Sequence, residues 1–260
     1  MEQQRHQDVT IKIGKDIAID NLQPVHLVTY ACLIHALKAQ GYRVFQDRDS
    51  TPCDNYVYND LGFRHYWHDD VNHVDTARQN IFNLWRIKEG EMDLYAKRVE
   101  DYLKNKLFEG KYLSLVSSCL TETFYNIFDH ADAHNNAYFF MKYNEKRKLL
   151  HVAVCDFGKG IVKSVRDFTS SNMDDREALE RAAENNFTTQ STDHNKGKGL
   201  DNIISQTLTL HILSGKAMLY KSATLRQTYD LDFDFQGTLV YFDVDLNNLE
   251  SDEVLTEFSF

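Results

Sequence analysis

Leu149-Leu150-His151-Val152-Ala153-Val154-Cys155-Asp156-Phe157-Gly158-Lys159-Gly160 is the stretch on which the reading of this chain turns. Its first seven residues are mostly apolar. The polar run Asn144-Glu145-Lys146-Arg147-Lys148 separates them from a second apolar segment, Ala137-Tyr138-Phe139-Phe140-Met141. Two short apolar segments joined by a polar turn predict a β-hairpin. Asp156 then falls at a strand end with Gly158 and Gly160 directly behind it. A carboxylate in that place can accept a hydrogen bond from a ligand amino group, and glycines admit positive φ and close backbone approach. A tight turn accounts for the same residues equally well.

Upstream, residues 112–131 carry Leu113, Val116, Leu120, Phe124, Ile127 and Phe128 on one stripe, which predicts an amphipathic helix. Glu122, Asn126 and His130 recur at every fourth residue, so they line up along a neighbouring stripe. A solvated polar face is the plain reading of that stripe. Asn126 sits oddly in it, because asparagine is a poor helix-interior residue and here has aromatic neighbours.

Downstream, Gly197-Lys198-Gly199-Leu200 precedes a short predicted helix over residues 201–208. Glycines that open a helix expose unpaired N–H groups and the positive end of its dipole to an anion such as a triphosphate, and Lys196 and Lys198 add positive charge there. The pattern G-x-x-x-x-G-K-[ST] is not present, so a phosphate cradle would have to come from this turn and the segment before it.

Taken together, Glu122/Asn126/His130, Asp156/Gly158/Gly160 and Gly197/Gly199/Leu200, with Phe235-Gln236-Gly237-Thr238 ahead of a predicted strand at 239–244, resemble the GHKL ATPases over about residues 90–246. That superfamily includes gyrase-type topoisomerases, heat-shock chaperones, mismatch-repair ATPases, histidine kinases and anti-sigma-factor serine kinases. The resemblance implies a two-layer α/β sandwich with a mixed sheet and a site for ATP and Mg²⁺. Asn126 would hold the metal against the phosphates, and Glu122 would orient or deprotonate the attacking water or hydroxyl. Asp156 would read the adenine amino group, with Thr238 helping through a water. Gly158 and Gly160 would let the backbone pass the nucleotide, while His130, Lys196, Gly197, Lys198, Gly199 and Leu200 complete the nucleotide-binding set. Residues 161–196 would form a mobile lid, helical in part over 174–184.

Residues 8–19 alternate enough to read as strand-like, with Gly14-Lys15-Asp16 as a hairpin-type turn. Residues 24–40 have helical spacing ended by Gly41, and residues 42–45 read as a further strand. This strand-helix-strand unit faintly resembles the STAS-like domains that accompany some bacterial regulatory ATPases. The expected organisation is therefore an α/β STAS-like module at 1–75, a helical connector at 76–110 containing a helix over 93–106, an ATP-binding domain at 111–246 and a tail at 247–260. That tail is a docking segment or a frayed end.

Composition limits the alternatives. The chain has 260 residues, 26% of them charged, and only two prolines, which describes a globular chain able to bury a core. A formal charge of −10 makes a nucleic-acid backbone a poor partner. No apolar run approaches the roughly 18 residues of a membrane span, and the N-terminus has no apolar leader core, so no membrane partner and a cytoplasmic location are expected. Cys32, Cys53, Cys119 and Cys155 lack metal-ligand or C-x-x-C spacing and read as buried free thiols. His65, His68 and His73 fall in a segment rich in aromatic and acidic residues, read as a surface or interface loop in preference to a metal site.

A sensor histidine kinase would carry a dimerising helical hairpin, and gyrase- or chaperone-type members carry large transducer domains after the ATP site; neither pattern is visible. The expectation is a compact bacterial-type regulatory protein that hydrolyses ATP or phosphorylates a Ser/Thr of a protein partner and so switches an interaction. The competing expectations are a nucleotide-gated module without catalysis, and an α/β protein whose glycine turns merely mimic the family. Homodimerisation is left open.

Overall fold

A computed structural model of the chain describes residues 7–47, 51–64, 80–87, 90–131, 137–184, 187, 199–247 and 249, without side-chain detail at 83–86 and 129–131. The predicted hairpin lies at its centre: β4 (Ala137–Asn144) and β5 (Leu149–Asp156) pair antiparallel from Tyr138↔Cys155 to Asn144↔Leu149. The turn between them closes because Arg147 N–H donates to Asn144 Oδ1 at 3.2 Å and Lys148 takes a left-handed φ of 54°. β5 then pairs with β7 (Arg226–Asp245), which pairs with β6 (Thr209–Lys221), while β3 (Ile81–Ile87) lies outside β4. The order is β3-β4-β5-β7-β6 and every described pairing within this sheet is antiparallel, so the expected mixed sheet is replaced by an antiparallel one. The only parallel pair among the described residues is separate: β1 (Asp8–Ile11) with β2 (Arg43–Gln46), held at its edge by the Arg43–Asp8 ion pair. The expected hairpin turn at residues 14–16 thus leads away from β1 towards a 3₁₀ turn, Ile19–Asn21, and does not return to pair with it.

Strand periodicity assigns the two faces of the large sheet. On one, Phe139, Met141, Val152, Val154, Val240 and Phe242 meet the helices α3 (Met92–Lys106), α4 (Ser114–Ala131), α5 (Ile161–Thr169), α6 (Asp175–Ala182) and α7 (Gly199–Gln206) in a single buried core. Phe124 of α4 meets Phe139 edge-on, with ring centroids 5.5 Å apart, and each such fully buried side chain contributes about 1.5–3 kcal/mol of transfer free energy. On the other face, Tyr138, Phe140, Ala153, Cys155 and Leu239 are covered by α1 (Pro24–Ala39) and by Cys53, Val57 and Tyr58 around the short α2 (Pro52–Asn55). The result is three layers, α/β/α, where two were expected. The expected boundary at residue 75 does not coincide with a break in packing, because the apolar side chains of residues 22–63 share their core with the sheet. Nor is 76–110 purely helical: β3 lies inside it and forms the sheet edge.

The expected lid also changes. Ile161, Val162 and Val165 of α5 and Ala178, Leu179 and Ala182 of α6 are core residues, and α6 is closed at its start by a capping box between Asp174 and Glu177. Residues 161–182 are therefore scaffold. Residues 188–198, with Lys196, Gly197 and Lys198, lie outside the described residues, as do His65, His68 and His73 and all of the tail beyond Leu249.

Candidate functional site

Asp156 is the last residue of β5, fully buried, and sits opposite Thr238 of β7. The chain turns immediately beyond it. Gly158 N–H donates to Asp156 Oδ1 at 2.7 Å. Gly160 takes φ +82°, and a Cβ there would come within 2.7 Å of both the Gly237 carbonyl oxygen and Ser214 Oγ. Gly237 takes φ +83°, and a Cβ there would run into the backbone of Asp156 and Phe157. Glycine at 160 and 237 is thus required by conformation and by space, whereas Gly158 serves through its N–H. Ser214, buried and not anticipated from the sequence, ties the two turns together: its hydroxyl donates to the Gly237 carbonyl at 2.9 Å and accepts from Val162 N–H at 3.4 Å.

This packing leaves two polar atoms without a partner. Asp156 Oδ2 and Thr238 Oγ1 are both buried, and although the Thr238 hydroxyl lies near enough to act on the carboxyl, neither atom reaches hydrogen-bonding geometry with any described group. Burial pushes the Asp156 carboxyl up from 3.8 to about 8, against the lowering influence of the Gly158 amide and of the Thr238 amide and hydroxyl. A buried carboxyl with one oxygen unsatisfied costs free energy, and such groups are rare unless something else binds there.

Glu122 and Asn126 come from α4. Asn126 is almost fully buried and its Nδ2 donates to the Glu122 carbonyl oxygen, one turn back, at 2.7 Å. That bond uses one of the two Nδ2 hydrogens and fixes the orientation of the amide, whose acceptor is Oδ1. The Glu122 carboxyl is half-buried, and that burial raises its pKa, while a 3.4 Å hydrogen bond from Asn202 Nδ2 on α7 partly lowers it. Asn202 is the second residue not anticipated from the sequence, although it stands two positions after Gly-Leu in the motif. Gly199 opens α7 as expected, but Leu200 is buried in the core, so its side chain anchors the helix. His130 belongs to α4, with its side chain outside the described set.

α4 packs against α7 and against the helix-covered face of the sheet. The first motif and the described end of the third therefore meet directly through Glu122 and Asn202, while Asp156, Gly158, Gly160 and Thr238 form a second cluster around the β5 end. An open cavity of about 600 Å³ reaches this second cluster at Gly158 and Gly237 and is flanked by Lys159, Lys163 and Arg166. Among the described residues no three His, Cys, Asp or Glu side chains gather to hold a metal ion, and no helix is long and apolar enough to cross a membrane. The four cysteines are buried free thiols.

A scan against protein-family models finds no match to this chain, and a search of curated proteins likewise finds none.

Proposed function

We propose that the chain is an ATP-binding regulatory protein of the GHKL type, in which Mg-ATP binding, followed by hydrolysis or by phosphorylation of a Ser/Thr on a partner protein, switches an interaction. The observation that carries this reading is the pair of orphaned buried atoms, Asp156 Oδ2 and Thr238 Oγ1, at a strand end bounded by glycines. An adenine ring supplies what the pair lacks: an exocyclic amino group that donates to Oδ2, and an acceptor that Thr238 reaches directly or through one water. A carboxyl that holds its proton to about pH 8 can in addition donate to a ring nitrogen.

Mg²⁺ favours oxygen ligands and keeps much of its shell as water and phosphate oxygen, so a single protein ligand suits it. Asn126 Oδ1 is the atom that would fill this role. Glu122 would serve the reacting water or hydroxyl, its basicity increased by partial burial and its orientation set by Asn202. The non-catalytic alternative is favoured by that same contact, because an amide that occupies Oε1 competes with a substrate proton.

Isothermal titration with ATP plus Mg²⁺, followed by chromatography of the recovered nucleotide, tests the proposal. Asp156→Asn is expected to weaken binding about ten-fold, the scale of leaving one buried hydrogen-bonding group mismatched. ADP in the eluate supports catalysis, and intact ATP supports the gated module. Failure of the wild-type chain to bind would end the nucleotide reading.

A further inference from the structure

Ser214 stands where the ladder between β6 and β7 loses its regular step. The two strands pair at Leu213↔Leu239 and next at Gly215↔Phe235, so β6 advances two residues while β7 advances four, and Ser214 alone faces Gln236, Gly237 and Thr238. Bulges of this kind re-aim a side chain. The buried Ser214 hydroxyl lies 2.9 Å from the Gly237 carbonyl oxygen and 3.4 Å from Val162 N in the first turn of α5. A carbonyl only accepts and an amide only donates, so the one hydroxyl proton goes to Gly237 and the oxygen lone pairs face Val162.

From there the effect reaches Asp156 through a single peptide unit. Gly237 C=O and Thr238 N–H belong to one planar trans peptide and point in opposite directions, so a bond that holds the carbonyl also sets the amide. Gly237, at φ +83° and without a Cβ, does not hold that plane by itself. The Thr238 amide is one of the groups that act on the Asp156 carboxyl. The β6 kink behind Ser214 is clamped in its turn. Gly215 takes φ +59°, where a Cβ would run into Asp175 Oδ2, and the same oxygen accepts from Lys216 N–H at 2.6 Å. Asp175 Oδ1 pairs with Arg166 Nη2, and Arg166 Nε donates to the Met173 carbonyl at 2.7 Å. α5 and α6 therefore grip β6 at the residue next to Ser214.

We infer that Ser214 and Asp175 are positioning residues for recognition of the nucleotide base: Asp175 fixes the β6 kink, the kink aims the Ser214 hydroxyl, and Ser214 fixes the Gly237–Thr238 peptide against Asp156. Both act through that peptide. Their bearing on ATP rests on the nucleotide reading, whereas their bearing on Asp156 is a property of the chain alone.

The test is a pH titration of the nucleotide-free full chain, read on the ¹³Cγ NMR signal of Asp156. In Ser214→Ala the freed peptide no longer holds the Thr238 amide toward the carboxyl, so the midpoint is expected to rise, because that amide lowers it. The neighbouring Cys32 and Cys155 thiols are buried, raised above their ordinary value and neutral over this range. Asp175→Ala is expected to move the midpoint the same way, and the sign is diagnostic, since loss of a nearby negative charge by itself would lower it. Asp175→Asn keeps an oxygen for Lys216 N–H and is expected to stay near the wild-type midpoint; a rise as large as that of Asp175→Ala would overturn the clamp. Should Ser214→Ala fail to fold, the Asp175 pair decides on the same signal. Isothermal titration with ATP plus Mg²⁺ reads the consequence for binding, with Kd expected to rise about ten-fold in Ser214→Ala. A midpoint unmoved or lowered in Ser214→Ala, or an ATP affinity unchanged by it, would overturn the inference. A wild type that binds no ATP while Ser214→Ala still raises the Asp156 midpoint would overturn the nucleotide reading and leave the positioning of Asp156 standing.

Discussion

At the scale of single residues, Asp156 is a fully buried carboxyl at a strand end. Its carboxyl is raised from 3.8 to about 8 in the folded chain. The folded state therefore holds a proton that the unfolded state releases near pH 4, and stability falls as pH rises across the window from about 4 to about 8. The slope is at most about 1.4 kcal/mol per pH unit and flattens above the folded pKa. Urea unfolding followed between pH 5 and 9 should show this decline in the nucleotide-free wild type and a flatter profile in Asp156→Asn. A profile unchanged by the substitution would assign the pH dependence to other groups. The sequence marked Asp156 as a strand-end carboxylate, but a strand end alone does not say whether such a group is satisfied. The orphaned Oδ2 follows from how tightly Gly160, Gly237 and Ser214 close around it, a matter of pairing between distant strands.

At the scale of elements, the contact that defines the other half of the site joins two helices. Glu122 on α4 meets Asn202 on α7. If Asn202 orients and acidifies Glu122, Asn202→Ala should lower turnover and move the acidic limb of the pH–rate profile, which a general base sets, to higher pH, because the one described contact that lowers its pKa is gone. Glu122→Ala should abolish turnover and leave ATP binding measurable. An unshifted profile in Asn202→Ala would reduce that contact to packing. α4 and the β4–β5 hairpin were legible because each buries one continuous face, so local periodicity reports their environment. β3 was not, because as an edge strand it is defined by pairing with residues fifty or more positions later in the chain. The expected lid was misjudged for a related reason. α6 is largely charged, and only its Ala178, Leu179 and Ala182 reach the core, so its composition suggests solvent while its packing makes it scaffold.

At the scale of the whole molecule, the described apolar residues between Leu22 and Phe63 share one core with the sheet. This has a direct experimental consequence. A fragment beginning at residue 76 would expose Tyr138, Phe140, Ala153, Cys155 and Leu239 on a five-stranded sheet, an apolar surface of the kind that drives aggregation. It is expected to be recovered mainly as aggregate, and sedimentation of the purified fragment beside the full chain reads the outcome. A monodisperse, cooperatively unfolding fragment would restore the two-domain organisation.

The outer layer does more than shield the sheet. Cys32 of α1 rests its thiol 3.1 Å from the carbonyl oxygen of Cys155, the residue immediately before Asp156. Because both cysteines are buried and protein cores are close-packed, a bulkier side chain at position 32 is expected to displace the strand end that carries Asp156. The place of the Asp156 carboxyl on one side of the sheet is therefore set from behind, by a helix packed on the other, so that a change in α1 reaches the carboxyl through the strand that carries it.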